Sequence, residues 1–155
     1  MDDVPYGGLI CELGCFKGRS LCSVADIILR KNLRVTVVDT FEGTESEKTP
    51  AEKLIDTDFQ EEFENNIARF GLKASIYRGK TSEINLPNNT FDLIFIDACH
   101  DYEFVRDDIN KWEHVVKTGG TISGHDYGSH SGVAKAVNEK YDNTRVYASV
   151  WSKRL

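Results

Sequence analysis

Proline is scarce in this chain, three in 155 residues, and there is a single methionine. With no low-complexity tract beside it, that scarcity argues against extended disorder. No run approaches the roughly 20 apolar residues that a membrane span needs. The N-terminus, Met1-Asp2-Asp3, has neither the basic nor the apolar region of a secretory signal, so a cytoplasmic protein is expected. Only four cysteines occur, Cys11, Cys15, Cys22 and Cys99, and no two form a C-x-x-C pair. The usual zinc-site spacing is therefore absent, and reduced thiols acting as small hydrophobes are expected. Positive charge is also short: 19 Lys and Arg against 25 Asp and Glu give a net charge of −6. Such a chain is poorly suited to gripping a phosphate backbone, which argues against a nucleic-acid partner, and it tolerates a small cationic ligand better.

What remains is an ordinary globular composition, 40% apolar and 28% charged. Its length fits one domain over residues 1–155. Short apolar runs alternate with longer amphipathic stretches. Gly8 to Leu13 reads as a buried strand, followed by a helix whose apolar face is Leu21, Val24, Ala25, Ile28 and Leu29, stopping near Asn32. Val35 to Val38 is a β-branched strand ending at Asp39. Residues 40–50, with Gly43 and Pro50, read as a loop. Phe59, Phe63, Ile67 and Phe70 mark a helix closed by Gly71. Ala74 to Arg78 is a third strand, and Phe91 to Asp97, almost continuously apolar, is a fourth strand covered on both faces. A helix follows along Val105, Ile109, Trp112 and Val116. Gly119-Gly120 is expected to turn the chain into a fifth strand, Thr121 to Ser123. A helix with Val133, Val137 and Tyr141 comes next. Arg145 to Ser149 and Val150 to Arg154 end the sequence as two short strands, with no clear turn between them.

Strands alternating with crossover helices predict a doubly wound α/β sheet with helices on both faces. Ligands in such sheets bind beyond the carboxyl ends of the strands, where most of this chain's unusual polar residues fall. Glu12-Leu13-Gly14-Cys15-Phe16-Lys17-Gly18-Arg19-Ser20 joins the first strand to its helix. Its G-x-x-x-G spacing is neither G-x-G-x-x-G nor a P-loop, so the ligand need carry no pyrophosphate. Glu12 would favour a sulfonium or an amine there. Asp39 lies about 20 residues past Gly18, where a carboxylate can accept from both ribose hydroxyls of a nucleoside; the alternative is a turn Asp. Phe41 either covers an adenine face or belongs to the core. Thr81 and Ser82 either bond a base or cap a helix.

These segments resemble a known family. Cys11-Glu12-Leu13-Gly14…Gly18-Arg19-Ser20, Val37-Val38-Asp39-Thr40 and Arg78-Gly79-Lys80-Thr81-Ser82 fall in the order seen in class I S-adenosylmethionine-dependent methyltransferases. The most specific matches are Phe91 to Tyr102, which ends Asp97-Ala98-Cys99-His100-Asp101-Tyr102, and Gly119 to Tyr127, which ends Gly124-His125-Asp126-Tyr127. The combination is similar to methyltransferase family 24 and more distantly to metal-dependent O-methyltransferases. The resemblance implies a mostly parallel, seven-stranded, Rossmann-like sheet in the order 3-2-1-4-5-7-6, with the last strand antiparallel. It implies S-adenosyl-L-methionine as cofactor, held by Glu12, Gly14, Gly18, Ser20, Asp39, Thr40, Phe41, Thr81, Ser82 and Asp97. A small-molecule or sugar hydroxyl is the implied acceptor. Many relatives carry a helical cover before the first strand, and this sequence starts almost at the strand. The expected acceptor therefore brings its own cover, sits in an open site, or is closed over by a partner subunit in a homo-oligomer.

Methyl transfer needs alignment of acceptor and donor, and a way to remove the acceptor's proton. Two routes fit. In the related metal-dependent enzymes, residues matching Asp97, His125 and Asp126 hold a divalent cation, Mg²⁺ with oxygen ligands alone and Mn²⁺ or a similar ion where a histidine enters. In the metal-free route His125 or His100 is the general base, oriented by Asp126 or Asp101. A purely structural alternative makes Asp97 a loop cap, His100-Asp101-Tyr102 a helix cap, and His125-Asp126-Tyr127 a loop brace. His114 is expected to be solvated or packed, His130 is unassigned, and Glu61, Glu62 and Glu64 read as a solvated helix face. Two competing functions are a nicotinamide-dependent oxidoreductase, against which the missing G-x-G-x-x-G and Glu12 both argue, and a non-catalytic domain that retained the fold.

Overall fold

The computed structural model describes Met1, residues 3–43 and residues 58–155. The expected loop around Pro50 lies outside the described residues. The strands are β1 (Leu9–Leu13), β2 (Arg34–Asp39), β3 (Ala74–Arg78), β4 (Phe91–Ile96), β5 (Val116–Gly124), β6 (Arg145–Tyr147) and β7 (Val150–Arg154). The helices are α1 (Arg19–Ser23), α2 (Ala25–Arg30), α3 (Gln60–Arg69), α4 (Tyr102–Trp112) and α5 (Ser131–Lys140). They build one seven-stranded sheet in the order β3-β2-β1-β4-β5-β7-β6. β1 to β5 run parallel, and β7 pairs antiparallel with both β5 and β6. This is the expected order, with the two crossover directions diverging between β1 and β4.

Side-chain alternation along β1 divides the core. Cys11 and Leu13 face one layer, where Ile94, Ile96 and Ile122 meet Val105, Ile109 and Trp112 of α4 and Val133 and Val137 of α5. Ile10 faces the other, with Val35, Val37 and Leu93 against Leu21, Ala25 and Ile28 and against Phe63 and Ile67 of α3. Glu12 falls on that second face, at the carboxyl end of the sheet.

Four local expectations need correction, the first being Val116, which opens β5 instead of continuing the helix face of Val105, Ile109 and Trp112. The helix after β1 is two short helices broken at Val24, which caps α2 with φ −116°. The apolar face therefore buries Leu21, Ala25 and Ile28 but leaves Leu29 exposed. Gly119-Gly120 does not precede the fifth strand but lies inside it. Val116 pairs with Phe91 and Thr121 with Leu93, so the extra residues bulge where the register shifts. Gly119 takes φ +79°, which the bulge requires. Finally, β6 is only three residues, and Ala148 at φ +51° in the tight turn reverses the chain into β7. That turn carries no Gly or Asn-Gly signal, which is why it was not legible.

Trp151 anchors the antiparallel end. It is fully buried in the layer under α4 and α5, 6.4 Å between ring centroids from Tyr141. Truncating Trp151→Ala removes a large buried ring and leaves a cavity, so unfolding free energy should fall by about 3–5 kcal/mol in urea titration. A loss below about 1 kcal/mol would contradict its role as the anchor of β7.

Candidate functional site

Backbone hydrogen bonds align the strand tips before any side chain acts. Gly14 N–H donates to Val38 O at 2.9 Å, Asp97 N–H to Leu13 O at 2.8 Å, His125 N–H to Ile96 O at 3.1 Å and Gly79 N–H to Asp39 O at 2.9 Å. The ends of β1 to β5 thus form one rim. Gly14 is needed for this: at φ +79°, a Cβ there would lie 2.4 Å from Asp97 O and 2.5 Å from Ala98 Cα. Gly18, at φ +81°, is met at 3.0 Å by Phe63 and Ile67 of α3. Both glycines therefore serve close approach within the protein, and Gly18 does not line the cleft.

Asp39 closes the turn. Its Oδ2 accepts from the N–H groups of Cys15 and Phe16 at 2.6 and 2.7 Å, and its Oδ1 from Phe41 N–H at 2.7 Å. Three of about four acceptor positions are taken, so Asp39 clips the glycine turn and retains capacity for one more donor on Oδ1. The turn at the end of β1 and the Asp39 side chain are in direct contact, and a cleft opens beside them.

That cleft has a volume of about 1570 Å³. Glu12, Gly14, Ser20, Asp39, Thr40 and Thr81 line one end, and Asp97, His100, His125 and Asp126 another. It also runs along the sheet face past Phe95 and Ser123, which share the register of Glu12, to Thr121. Besides Gly18, two expected cofactor residues fall outside it. Phe41 is fully buried against Phe63, with ring centroids 5.4 Å apart, which settles it as a core residue. Ser82 is exposed, and its carbonyl accepts from Lys111 Nζ at 2.7 Å. Thr81 lines the cleft while its side chain hydrogen-bonds the buried Asp108, whose carboxyl burial pushes up to about 6. Beside the glycine turn the cleft is lined instead by Phe16, half exposed at φ +46°, and by Phe59, edge-on to it with ring centroids 4.6 Å apart. The sequence position of Phe16 inside the glycine turn was the available signal.

Glu12 is 3% exposed. Ser20 Oγ donates to its Oε1, while Oε2 is buried and has no hydrogen-bond partner among the described residues. Burial pushes the carboxyl up to about 8, and Asp97 and Asp39 reinforce the rise against the Ser20 hydrogen bond. An acceptor atom left in this state in the wall of a cleft calls for a cationic or hydrogen-bond-donating ligand. Burial also raises the Cys11 and Cys15 thiols, so both are protonated packing residues.

At the other end Asp126 is a hub. Its Oδ2 lies 3.0 Å from His100 Nε2 and 3.1 Å from His125 Nδ1, and its Oδ1 lies 3.5 Å from His130 Nδ1. Asp97 Oδ1 is 3.9 Å from both His100 Nε2 and His125 Nδ1. Burial alone would raise the Asp126 carboxyl, but hydrogen bonds from Ser129 and His125 and the nearby His100 hold it below the usual carboxylate range. His130 was the residue that sequence reasoning left unassigned; its i,i+4 spacing from Asp126 was the only signal. The tyrosines of the two triplets point elsewhere: Tyr102 Oη donates to Glu139 at 2.5 Å and Tyr127 Oη to Asn138 at 2.7 Å, bracing α5. Asp101 precedes α4 without a side-chain cap bond. His114 is solvent-exposed, and Glu61, Glu62 and Glu64 are exposed on α3.

The raised Glu12 carboxyl has a consequence for stability. The folded state holds its proton more tightly than the unfolded chain, whose value is near 4.5. The resulting stability is full below about pH 4.5 and is lost as pH rises toward 8. Glu12→Gln, neutral at every pH, should match the parent near pH 5 and be the more stable protein at pH 8, read from urea midpoints. Parallel pH profiles for the two proteins would rule out a buried, uncompensated Glu12.

A family model described as a methyltransferase domain matches residues 11–127, which includes both ends of the cleft. No curated protein matches significantly. Among solved structures, the O-methyltransferase NovP superposes with a TM-score of 0.74 at 18% identity, covering 99% of this chain and 73% of its own. CalS11, a calicheamicin methyltransferase, gives 0.65 at 16% identity, covering 98% and 73%. A geranyl diphosphate methyltransferase in complex with geranyl diphosphate and sinefungin gives 0.56 at 15% identity, covering 85% and 45%. The sheet is therefore the Rossmann-like methyltransferase fold, and the chain belongs to the methyltransferase-domain family.

Proposed function

We propose that residues 1–155 form a single S-adenosylmethionine-dependent methyltransferase domain acting on a hydroxyl of a small molecule or sugar. The observation that carries this reading is the Glu12 carboxylate: buried in the cleft wall, hydrogen-bonded on one oxygen by Ser20 and without a partner on the other among the described residues. The residues present fit the cofactor. Glu12, Ser20, Asp39 and Thr40 would hold it, with Gly14 shaping the turn and Phe16 offering an apolar face. S-adenosylmethionine, when bound, supplies a methyl group already activated on a sulfonium.

The chain's own contribution is binding, orientation and proton removal. Glu12 Oε2 provides a desolvated negative partner for a cationic group, an interaction strengthened by the low local dielectric. Asp39 Oδ1 keeps room to accept one hydroxyl. The acceptor sits along Phe95, Thr121 and Ser123, a wall apolar on β4 and hydroxylated on β5. His125, whose Nδ1 lies 3.1 Å from Asp126 Oδ2, or His100, whose Nε2 lies 3.0 Å from the same atom, donates to Asp126 through that nitrogen and takes the acceptor's proton on its other ring nitrogen. Asp126 stabilises the imidazolium so formed. The Asp97, His125 and Asp126 oxygens and nitrogen are also close enough to share a divalent ion, which would acidify the hydroxyl directly. NovP is described as an O-methyltransferase, and CalS11 as a TDP-rhamnose 3′-O-methyltransferase, which supports a sugar or similar acceptor. The net charge of −6 supports a small molecule over nucleic acid. Among the described residues no helix is long and apolar enough to cross a membrane; that and the free cysteines support a cytoplasmic setting.

Calorimetric titration should show binding of S-adenosylhomocysteine and none of NADH; the reverse would replace this reading with an oxidoreductase. Labelled methyl transfer into a panel of sugars and phenols should then fall by about 10²-fold or more in Asp126→Asn. Unchanged turnover there would remove Asp126 from the chemistry.

The Glu12 proton gives a second test. A cationic ligand favours the ionised carboxylate, so binding S-adenosylmethionine at pH 7 should release a proton. The heat of binding should then depend on the ionisation enthalpy of the buffer. That dependence should vanish in Glu12→Gln, and its absence in the parent would contradict contact between Glu12 and the ligand's positive charge.

A further inference from the structure

We propose that the part of the cleft floored by β5, β7 and β6 binds a phosphoryl group of the methyl acceptor through Arg145 and Arg154, which makes that acceptor a phosphorylated sugar or a comparable hydroxylated phosphate ester. This deepens the reading of the cleft as a methyltransferase site and rests on it.

Strand register puts both arginines on the cleft face. Glu12 pairs with Phe95, Phe95 with Ser123, Ser123 with Ser152 and Ser152 with Arg145. These five form one row across β1, β4, β5, β7 and β6, and residues paired across strands share a face of the sheet. A second row, two residues further from the carboxyl rim, runs Ile10, Leu93, Thr121 and Arg154. Trp151, between Val150 and Ser152 on β7, packs into the opposite layer under α4 and α5. Arg145, Ser152 and Arg154 all line the cleft. Both arginines are exposed, and among the described residues neither side chain makes an ion pair or a hydrogen bond. Asp3 lines the cleft as well and pairs with neither.

The first row therefore carries opposite chemistry at its two ends. Glu12 begins it with a carboxyl suited to a cationic ligand. Arg145 ends it four strand spacings away, roughly 19 Å. In a chain of net charge −6, two uncompensated guanidinium groups on one recessed face reverse the local sign. Charged residues on an edge strand often serve only to block edge pairing. These two instead share the recessed face with the hydroxylated residues Thr121 and Ser152. They are diagonal neighbours on one antiparallel pair, with Cβ atoms about 7–8 Å apart, so their forks can close on one phosphoryl group or on two that are linked. A guanidinium fork matches phosphate oxygens in bidentate fashion. Ser123 lies two residues, about 7 Å, below His125, and Arg145 lies two strand spacings, about 10 Å, to its side. The length of an arginine side chain reduces that separation to the span of a sugar phosphate whose hydroxyl sits at the rim.

The test titrates the protein, in the presence of S-adenosylhomocysteine, with inorganic pyrophosphate, glucose 1-phosphate and glucose in turn, followed by calorimetry. Pyrophosphate should bind, with an affinity that falls as salt rises. Glucose 1-phosphate should bind about tenfold or more tighter than glucose. Arg145→Gln and Arg154→Gln should each weaken pyrophosphate binding by about tenfold or more, with S-adenosylhomocysteine affinity staying parental and reporting an intact fold. In the labelled methyl-transfer panel, turnover should concentrate in the phosphorylated members. No pyrophosphate binding, parental binding in the double variant, or equal turnover of neutral sugars would overturn the proposal, and intact S-adenosylhomocysteine binding would leave the methyltransferase reading standing. Pyrophosphate binding at the arginines without S-adenosylhomocysteine binding would overturn that reading instead, and with it the assignment of the anion to a methyl acceptor.

Discussion

The carboxylate of Asp39 is the fixed point of the binding end of this molecule. Three backbone N–H groups converge on it, two from the turn after β1 and one from the residue after Thr40. A carboxylate–amide hydrogen bond is stronger than a neutral one, and three of them set the turn's conformation without requiring a ligand. Gly14 is the complement of that clamp. With no side chain, it lets the β1 tip settle on Asp97 and Ala98. The cleft exists because the turn is held against β2 on one side and β4 on the other.

That geometry gathers like charge. Glu12 and Asp39 share one end, Asp97 at the next strand tip acts on them, and the deeply buried Glu12 bears the effect. A carboxyl pushed up to about 8, with one oxygen lacking a partner among the described residues, costs stability in the free protein. A cationic ligand offsets that cost, so the destabilised group becomes a source of binding energy and charge selectivity. Sites that violate the rules of polar satisfaction are commonly the ones that bind.

The far end of the cleft is organised differently. There the acidic groups are paired, each facing imidazole nitrogens, and Asp126 sits at φ +59° to face them. Residues held in such sparsely populated conformations concentrate at functional sites. One end thus presents a buried carboxyl that a cationic ligand can ionise, and the other a preorganised cluster able to accept a proton or an ion. The sheet face of Phe95, Thr121 and Ser123 continues the same cleft.

Periodicity in the chain was enough to place the strands and most helices, because apolar residues at spacings of two and of three to four can be buried in only one way each. The same pattern, with the Asp97 and Asp126 segments at strand ends, pointed to both ends of the cleft, whereas the sheet order followed from the family resemblance and not from periodicity. What periodicity could not determine was decided by contacts between distant segments. Val24 breaks a helix whose apolar stripe reads as continuous, and Gly119-Gly120 bulges within a strand because β4 dictates the register. Phe41 is core because Phe63, 22 positions on, lies against it. Tyr102 and Tyr127 brace α5 although each sits beside a site histidine. The orphaned oxygen of Glu12 and the gathering of His100, His125 and His130 on Asp126 depend on burial and on three-dimensional proximity. Neither is a local property of a chain; both appear only when the strand tips are brought to a common edge.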